Sequence, residues 1–266
     1  MRVRGTLRNI MTVNELVCGD NVKILKGLED NSIDLTVTSP PYDGLRDYNG
    51  FSFDFEGVAE QLYRVTKEGG VVVWVVGDSV IKGSESGTSF KQALHFKEIG
   101  FRLHDTMIYQ KSPAFPEKWR YSQTFEYMFV FTKGRPNTFN PIDDHKNKPD
   151  GHKGGTYTSG LRGKDGKFTG KIRPKPREYS RRWNVWWISG GYFKSTVDKI
   201  AYKHPAIFPE ALARDHIMSW SNEGDIVLDP FVGSGTTCKI AKQLGRNYIG
   251  VDISQEYIDI ATERLI

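Results

Sequence analysis

The chain has 266 residues, 38% of them hydrophobic, which is enough for one α/β domain with an insertion or for two small domains. The longest apolar run, residues 71–76, is far too short to cross a bilayer, and two cysteines exclude a disulfide framework and a cysteine zinc site. We therefore expect a cytoplasmic protein with no membrane segment and no metal, whose net charge of +5 is modest.

Hydrophobic spacing predicts strands that alternate with helices along most of the chain. Strand patterns occupy residues 15–20, 32–37, 71–76, 105–110, 125–132 and 247–252. Helical patterns occupy residues 21–28, 55–66, about 89–99, 210–220 and 255–265. Residues 225–237 combine a buried strand, a Gly-x-Gly turn and the start of a helix that reaches residue 244. This alternation predicts an α/β fold with a parallel, doubly wound sheet and right-handed crossovers.

The predicted strand at residues 32–37 ends in the sequence Thr38-Ser-Pro-Pro-Tyr42. Two consecutive prolines fix φ and remove two backbone donors, so the chain can neither remain in a central strand nor begin an ordinary helix there. Open α/β sheets bind ligands at the carboxyl ends of their strands, which makes this elbow a candidate reaction centre. A proline-stiffened turn without a chemical role is the alternative.

Ser39 and Tyr42 favour chemistry on an aromatic amine over hydrolysis. No Gly-x-Ser-x-Gly elbow surrounds Ser39, and no histidine pair at metal spacing accompanies it. The hydroxyl and a proline-flanked carbonyl could accept the N–H hydrogens of a planar amine and aim its lone pair at an electrophile. Tyr42 would stack on the base.

A second constellation, residues 229–237 followed by Asp252, predicts a nucleoside site. Gly233 and Gly235 let the backbone turn sharply and approach a ligand. Asp252, 17 residues after Gly235, could accept hydrogen bonds from a ribose. Cys238 stands where the dinucleotide fingerprint needs a third glycine, and no Gly-Lys-Ser/Thr follows for a triphosphate. A merely structural turn is the alternative.

The positive charge is concentrated in one segment. Residues 133–182 carry 14 Lys and Arg against 5 Asp and Glu, a balance of +9, so the rest of the chain sums to −4. The segment contains glycines, prolines and aromatic residues and shows no clear helical or strand period. It is either a solvated linker or a cationic, loop-rich surface for a phosphate backbone.

Three stretches, residues 38–42, 204–209 and 229–237, together resemble the motifs of the β-class amino-methylating DNA methyltransferases. The resemblance covers nearly the whole chain. It implies a circularly permuted S-adenosylmethionine-dependent methyltransferase fold, with a doubly wound, mostly parallel sheet and an inserted target-recognition region. The implied divisions are a catalytic half at 1–132, a basic target-recognition region at 133–200 and a cofactor-binding half at 201–266.

The resemblance also implies roles for individual residues. The acceptor site would consist of Ser39, Pro40, Pro41 and Tyr42. S-adenosylmethionine would be bound by Asp20, His204, Pro205, Asp229, Phe231, Gly233, Ser234, Gly235 and Asp252. Within that set, Asp252 would take the ribose and Asp20 the adenine amine. Residues 124–133 resemble the strand that supports the extruded base.

Ser39 carries the information about the target base. A serine before Pro-Pro-Tyr resembles the cytosine-N4 group, whereas aspartate or asparagine is usual in the adenine-N6 group. Methylation at cytosine C5 would need a Pro-Cys nucleophile, but valine precedes Cys18 and threonine precedes Cys238. Cytosine N4 is therefore favoured over adenine N6. RNA or protein methylation and a non-catalytic DNA-binding module are more distant alternatives.

The resemblance gives the basic segment a role as well. A duplex buries its target amine, so the nucleotide must be flipped out while a cationic region holds the phosphates. The candidate DNA contacts are Arg162, Arg173, Arg177, Arg181 and Arg182. We expect Trp183, Trp186 and Trp187 to pack the inserted region against the core. The expected partner is double-stranded DNA, with or without a cognate restriction endonuclease, and the expected protein is a monomer or a homodimer.

Overall fold

A computed structural model describes residues 12–42, 54–112, 118–147, 155–162, 164–173 and 177–266. The chain forms two compact units. The larger unit combines Met1–Asn140 with Asn184–Ile266, and the smaller unit is Pro141–Trp183.

The secondary structure alternates strands and helices, as the sequence predicts. In chain order the strands are β1 (Glu15–Cys18), β2 (Ile33–Thr38), β3 (Thr66–Val76), β4 (Val80–Ile81), β5 (Ser84–Glu85), β6 (Arg102–Gln110), β7 (Phe125–Thr132), β8 (His145–Lys146), β9 (Gly155–Arg162), β10 (Phe168–Arg173), β11 (Tyr179–Ser180), β12 (Val185–Trp187), β13 (Ile226–Asp229) and β14 (Asn247–Asp252). The helices are α1 (Asn21–Leu25), α2 (Phe55–Val65), α3 (Thr88–Glu98), α4 (Glu210–Trp220), α5 (Thr236–Gln243) and α6 (Gln255–Leu265), and a 3₁₀ turn occupies Lys199–Lys203.

Short polar side chains begin several of these helices. The carboxylates of Asp20 and Asp54 accept hydrogen bonds from backbone N–H groups in the first turns of α1 and α2, at 2.9 and 3.0 Å. Ser254 caps α6 in the same way. These caps satisfy N–H groups that have no partner within the helix, which explains why the helices start where they do.

The start of β3 differs from its predicted position. The Glu68-Gly-Gly70 sequence is expected to separate the preceding helix from a strand at residue 71. Instead β3 begins at Thr66, which pairs with Ile33, and the register shifts before Val71 pairs with Leu35. Gly69 has a φ of +79°, so the glycines form a bulge within the strand.

In the described part of the larger unit, eight strands form one sheet in the order β1-β14-β13-β2-β3-β7-β6-β12. Neighbouring strands are parallel except at β3–β7 and β7–β6, so β7 runs against the others. The expected mostly parallel sheet is therefore confirmed. Because β7 is reversed, its amino end lies at the edge where the other strands have their carboxyl ends.

The strand order brings the two ends of the chain together. β13 and β14, from the end of the chain, lie between β1 and β2, from its beginning. Cys18 pairs with Asp252, and Leu35 pairs with Val227. The order agrees with the expected circular permutation, because the last two strands of the chain lie directly beside its first two in one sheet.

Both faces of the sheet are buried. Val72, Trp74 and Val76 of β3 belong to a core cluster that includes residues of α1, α2 and α3. The residues between them are also buried, and alternate side chains of a strand point to opposite faces. On the second face α4 contacts β2, and α5 contacts β13 and β14. The carboxyl ends of the strands, between the two helix layers, border a cavity.

The smaller unit contains short antiparallel pairs. β9 pairs with β10, and β11 pairs with β8. These strands lie in the segment whose sequence shows no clear helical or strand period, because its glycines and polar side chains obscure the alternation. The smaller unit, Pro141–Trp183, spans fewer residues than the predicted region at 133–200. One reason is that β12 pairs with β6 and so belongs to the main sheet. Its role in target recognition stays a prediction.

None of the described helices is long and apolar enough to span a membrane.

Candidate active site

A cavity of about 340 Å³ lies at the carboxyl edge of the main sheet. Its wall is built from the segments that follow β1, β2, β6, β12, β13 and β14, and from Glu126 at the start of the reversed β7. Residues from both predicted sites contribute to it, since Ser39, Gly233 and Asp252 all line the same space. The structure therefore brings the two predicted constellations together.

The elbow after β2 points polar groups into this cavity. Ser39, Pro41 and Tyr42 line it, whereas Pro40 is buried behind the surface. The Ser39 Oγ donates to the Tyr42 hydroxyl at 3.1 Å, and that hydroxyl donates to Glu126 Oε2 at 2.9 Å. Lys111 forms an ion pair with the other oxygen of Glu126 at 2.5 Å.

The Asp229 carboxylate is a buried support between the two halves of the site. Its Oδ1 accepts hydrogen bonds from Thr38 Oγ1 at 2.6 Å and from the backbone N–H of Phe231 at 3.1 Å. Burial raises the pKa of Asp229 to about 6, although these hydrogen bonds act in the opposite direction. Asp229 also lines the cavity, and the Phe231 ring beside it packs edge-on against Trp74.

The glycine turn packs closely against His204. Gly233 has a φ of +47°, and a Cβ at this position would lie 2.9 Å from His204 Nε2. Its N–H donates to Asp252 Oδ2 at 2.9 Å, while Oδ1 of the same carboxylate accepts from the Ser254 N–H at 3.0 Å. Asp252 thus holds the turn against the end of β14.

The remaining predicted cofactor residues differ in their positions. Asp20 and His204 line the cavity, and the Asp20 carboxylate also caps α1. Gly235 and Pro205 are not part of the wall. Gly235 has a φ of +82° and contacts Ala261 of α6, where a Cβ would lie 2.7 Å from the Ala261 Cβ. Direct contact with a cofactor stays a prediction for each of these residues.

Ser234 is held from behind by Arg264, whose side chain is fully buried. The guanidinium donates to the Ser234 carbonyl at 2.6 Å and forms ion pairs with Asp198 at 3.0 Å and Glu210 at 2.8 Å. Lys239 binds the same two carboxylates at 2.6 and 2.7 Å. This network, Asp198, Glu210, Lys239 and Arg264, fixes the glycine turn from the protein interior.

Acidic groups dominate the wall of the cavity. They are Asp20, Asp54, Glu126, Asp229 and Asp252. Burial raises the pKa of Asp252, and the backbone N–H groups that its carboxylate binds offset part of this rise. Lys111 is already paired with Glu126. Such a wall suits a ligand that carries a positive charge and N–H or O–H donors, which a nucleoside-bearing sulfonium such as S-adenosylmethionine does.

In the part of the chain that the structure describes, no group of three or more His, Cys, Asp or Glu side chains could hold a metal ion.

The predicted DNA contacts lie in the smaller unit. Arg162 ends β9 and Arg173 ends β10, and Arg177 is exposed. Arg182 is engaged by Asp144, because its Nε lies 3.1 Å from both carboxylate oxygens and its Nη2 also contacts Oδ2. Arg182 lowers the pKa of Asp144 accordingly. A phosphate contact by Arg182 would have to compete with this ion pair.

The three tryptophans do not share one role. Trp186 is buried, and its ring lies 4.5 Å from that of His216 in α4. Trp183 and Trp187 are 67% and 63% exposed, so the expectation that they pack against a core is wrong for them. β12 directs only its central residue, Trp186, into the core, because alternate side chains of a strand face opposite sides.

Several residues of the site were not predicted from the sequence. Glu126 is the acidic residue in a strand of mostly aromatic and aliphatic residues, and Arg264 lies on the apolar face of α6 with Tyr257 and Ala261. A charge at a position that the pattern assigns to the core is a signal for such residues. Lys111, in contrast, follows β6 without any local pattern that separates it from an ordinary surface lysine.

Comparisons with known proteins identify the family of this chain. A model of the family described as DNA methylase, which comprises N6 and N4 methyltransferases, matches residues 33–263. The orphan methyltransferase M.BamHII of Bacillus amyloliquefaciens is 61% identical over 246 residues, which cover 90% of this chain and 91% of that protein. The type II methyltransferase M.HpaI of Haemophilus parainfluenzae is 33% identical over 260 residues, covering 94% and 73% of the two chains.

Solved structures share the fold. TTHA0409 of Thermus thermophilus, determined in complex with S-adenosyl-L-methionine, has a TM-score of 0.63 and 25% identity, covering 94% of this chain and 92% of that chain. The cytosine-N4-specific PvuII DNA methyltransferase has a TM-score of 0.67 and 19% identity, covering 97% and 88%. The chain therefore belongs to the DNA methylase family of N6 and N4 methyltransferases.

Proposed function

We propose that this protein transfers the methyl group of S-adenosylmethionine to the exocyclic N4 amine of a cytosine that is flipped out of duplex DNA. The observation that carries the proposal is the cavity in which Ser39 shares a wall with Gly233 and Asp252. An amine acceptor and a nucleoside site must lie this close together for direct transfer of a methyl group.

The cofactor supplies an electrophilic methyl group on a positively charged sulfur. Asp252 accepts hydrogen bonds from the ribose through carboxylate lone pairs that its backbone contacts leave, and Gly233 lets the main chain approach the ligand. Asp20 accepts from the adenine amine, and the acidic wall stabilises the positive charge. Asp229 and Phe231 shape the space between the cofactor and the acceptor site.

The elbow orients the target amine. The amine lone pair of cytosine is delocalised into the ring, so the nitrogen is a poor nucleophile in its planar form. Ser39 Oγ and the backbone carbonyl between the prolines accept its N–H hydrogens, which favours a pyramidal nitrogen whose lone pair faces the methyl group. Tyr42 stacks on the base. The methylated amine then gives up one N–H proton to solvent water, which restores its neutral form.

Ser39 supports cytosine as the target, because serine before Pro-Pro-Tyr resembles the cytosine-N4 group. Adenine N6 is the competing assignment, since it is also an exocyclic amine and would use the same acceptors. The exposed Arg177 and the neighbouring cations of the smaller unit would hold the phosphates while the base is flipped.

The relatives support a role in DNA modification with or without a nuclease. The relative with 61% identity is named an orphan methyltransferase, whereas M.HpaI is named a type II methyltransferase. The first name supports action without a cognate restriction endonuclease, and the second supports protection from one.

Product analysis tests the proposal. Purified protein is incubated with methyl-labelled S-adenosylmethionine and duplex DNA of mixed sequence, and the DNA is digested to nucleosides. We expect label in N4-methylcytosine. Label in N6-methyladenine would overturn the base assignment, label only in added RNA would overturn the substrate, and no label in either, despite cofactor binding, would favour a non-catalytic DNA-binding module.

A further inference from the structure

Four side chains form a continuous chain of hydrogen bonds along one wall of the cavity. Ser39 Oγ lies 3.1 Å from the Tyr42 hydroxyl, which lies 2.9 Å from Glu126 Oε2. Glu126 Oε1 lies 2.5 Å from Lys111 Nζ. All four residues line the cavity, and they come from the β2 elbow, the start of β7 and the end of β6.

The chemistry of the groups sets the direction of these hydrogen bonds. A lysine ammonium can only donate, and a carboxylate accepts through both oxygens. The Tyr42 O–H therefore donates to Glu126, which uses its single hydrogen. The backbone carbonyl of Val75, 3.5 Å from the same hydroxyl, is also an acceptor and so leaves this direction unchanged. The Tyr42 oxygen must then accept from Ser39.

The consequence lies at Ser39. Its single hydrogen is directed towards Tyr42, so Oγ presents lone pairs to the cavity. An amine that attacks an electrophile needs acceptors for its N–H hydrogens and an uncommitted nitrogen lone pair. A Ser39 hydroxyl turned the other way would donate to that nitrogen and compete with the attack.

Resting on the proposed function, we propose that Glu126 is a positioning residue for methyl transfer, which acts through Tyr42 to keep Ser39 Oγ a hydrogen-bond acceptor for the target amine. Glu126 need not touch the base to do this. The ion pair between Glu126 and Lys111 contributes to this role, because it orients the carboxylate so that its other oxygen faces Tyr42. A Glu126 that served only to stabilise the fold would affect unfolding and leave kcat alone.

Glu126→Gln is the informative substitution, because it keeps the shape and exchanges one acceptor for a donor. Lys111 must take the remaining amide oxygen, so the amide N–H₂ faces Tyr42 and donates to it. The Tyr42 hydrogen then turns to Ser39 Oγ, at 3.1 Å, in preference to the more distant Val75 carbonyl at 3.5 Å, so Ser39 loses its role as an acceptor. We expect kcat to fall about tenfold or more, with the KM values for DNA and cofactor within about twofold of wild type.

Two further variants separate orientation from simple loss of a contact. In Lys111→Met/Glu126→Gln the amide oxygen is free to accept from Tyr42, so we expect kcat to recover to within about threefold of wild type. Tyr42→Phe removes the hydroxyl that connects Ser39 to Glu126 but keeps the aromatic ring. We expect kcat to fall about tenfold there, and adding Glu126→Gln should cost nothing more, because both changes act on one pathway.

Glu98→Gln is the matched control, since this exposed glutamate of α3 lies outside the cavity. Melting temperature and cofactor affinity are measured for every variant. If Glu126→Gln does not fold, Tyr42→Phe carries the test through its own loss of kcat. An unchanged kcat in the folded variant, or a double variant no faster than Glu126→Gln, overturns the inference. The nucleoside that wild-type protein methylates decides the proposed function separately.

Discussion

Thr38 donates a hydrogen bond of 2.6 Å to Asp229, although 191 residues separate them in the chain. Thr38 precedes the acceptor elbow, and Asp229 begins the glycine turn. Both side chains are buried. The bond therefore ties the two halves of the candidate site together across β2 and β13, within reach of the cavity that both halves line.

This carboxyl group should make folding stability depend on pH. Burial raises the pKa of Asp229 from 3.8 to about 6, so the folded protein holds the proton more tightly than the unfolded chain. The stability that this provides is present below about pH 4 and is lost as pH rises towards 6. Asp229→Asn removes the titration but keeps an acceptor for Thr38.

We therefore expect ligand-free Asp229→Asn to be more stable than wild type at pH 8 by roughly 2 kcal/mol and similar to it at pH 4. Urea unfolding at both pH values measures this difference. Asp259→Asn, on the exposed side of α6, is the control and should be neutral at both. An equal effect of Asp229→Asn at pH 4 and pH 8 would contradict the assigned titration.

Ser39→Ala should remove the amine acceptor while leaving the cavity intact. We expect cofactor and DNA affinities close to those of wild type and a kcat lowered by about 100-fold, because the lost hydrogen bond acts on the attacking amine. Single-turnover kinetics with saturating cofactor measures this loss. Ser84→Ala, in the exposed β4–β5 hairpin, is the control. A folded Ser39→Ala protein with the wild-type rate would show that Ser39 is not the acceptor for the target amine.

Gly233→Ala should weaken cofactor binding. Its φ of +47° is unfavourable for alanine, and the new Cβ would lie 2.9 Å from His204 Nε2. We expect the cofactor Kd to rise about tenfold or more, measured by isothermal titration calorimetry. Gly83→Ala also has a positive φ, of +82°, but nothing lies within 4 Å of its Cβ. Equal Kd values for the two variants would exclude the close approach at Gly233 as the cause.

Arg264→Met should destabilise the protein because it removes a buried positive charge. The fully buried guanidinium pairs with Asp198 and Glu210, and Lys239 alone would remain to neutralise them. We expect the free energy of unfolding to fall by about 3 kcal/mol, since removal of one partner leaves buried charge poorly compensated. Urea unfolding tests this, with the exposed Lys97→Met as control. A midpoint equal to that of the control would rule out a supporting role.

Two arginines of the smaller unit, Arg177 and Arg182, should differ in DNA binding. Arg177 is exposed, whereas Arg182 is paired with Asp144. We expect Arg177→Ala to weaken DNA binding and to reduce the slope of log K against log salt by about 1, as loss of one phosphate contact does. Arg182→Ala should leave that slope unchanged. The opposite pattern in fluorescence anisotropy titrations would reverse the assignment.

Local sequence was sufficient for much of the fold and for both motifs. The alternation of strands and helices follows from hydrophobic period, and the caps at Asp20 and Ser254 follow from short-range chemistry. The elbow at Ser39 and the turn at Gly233 could also be recognised, because proline and glycine restrict or free the backbone at their own positions.

Tertiary structure decided which of these pieces meet. The bond between Thr38 and Asp229 depends on β13 lying beside β2, and the position of Glu126 depends on the reversal of β7. Neither neighbour is specified by spacing along the chain. The sequence thus determined the individual groups of the site, Ser39 among them, whereas the order and direction of the strands decided what holds Ser39 in place, because hydrogen bonds between strands connect residues that are remote in sequence.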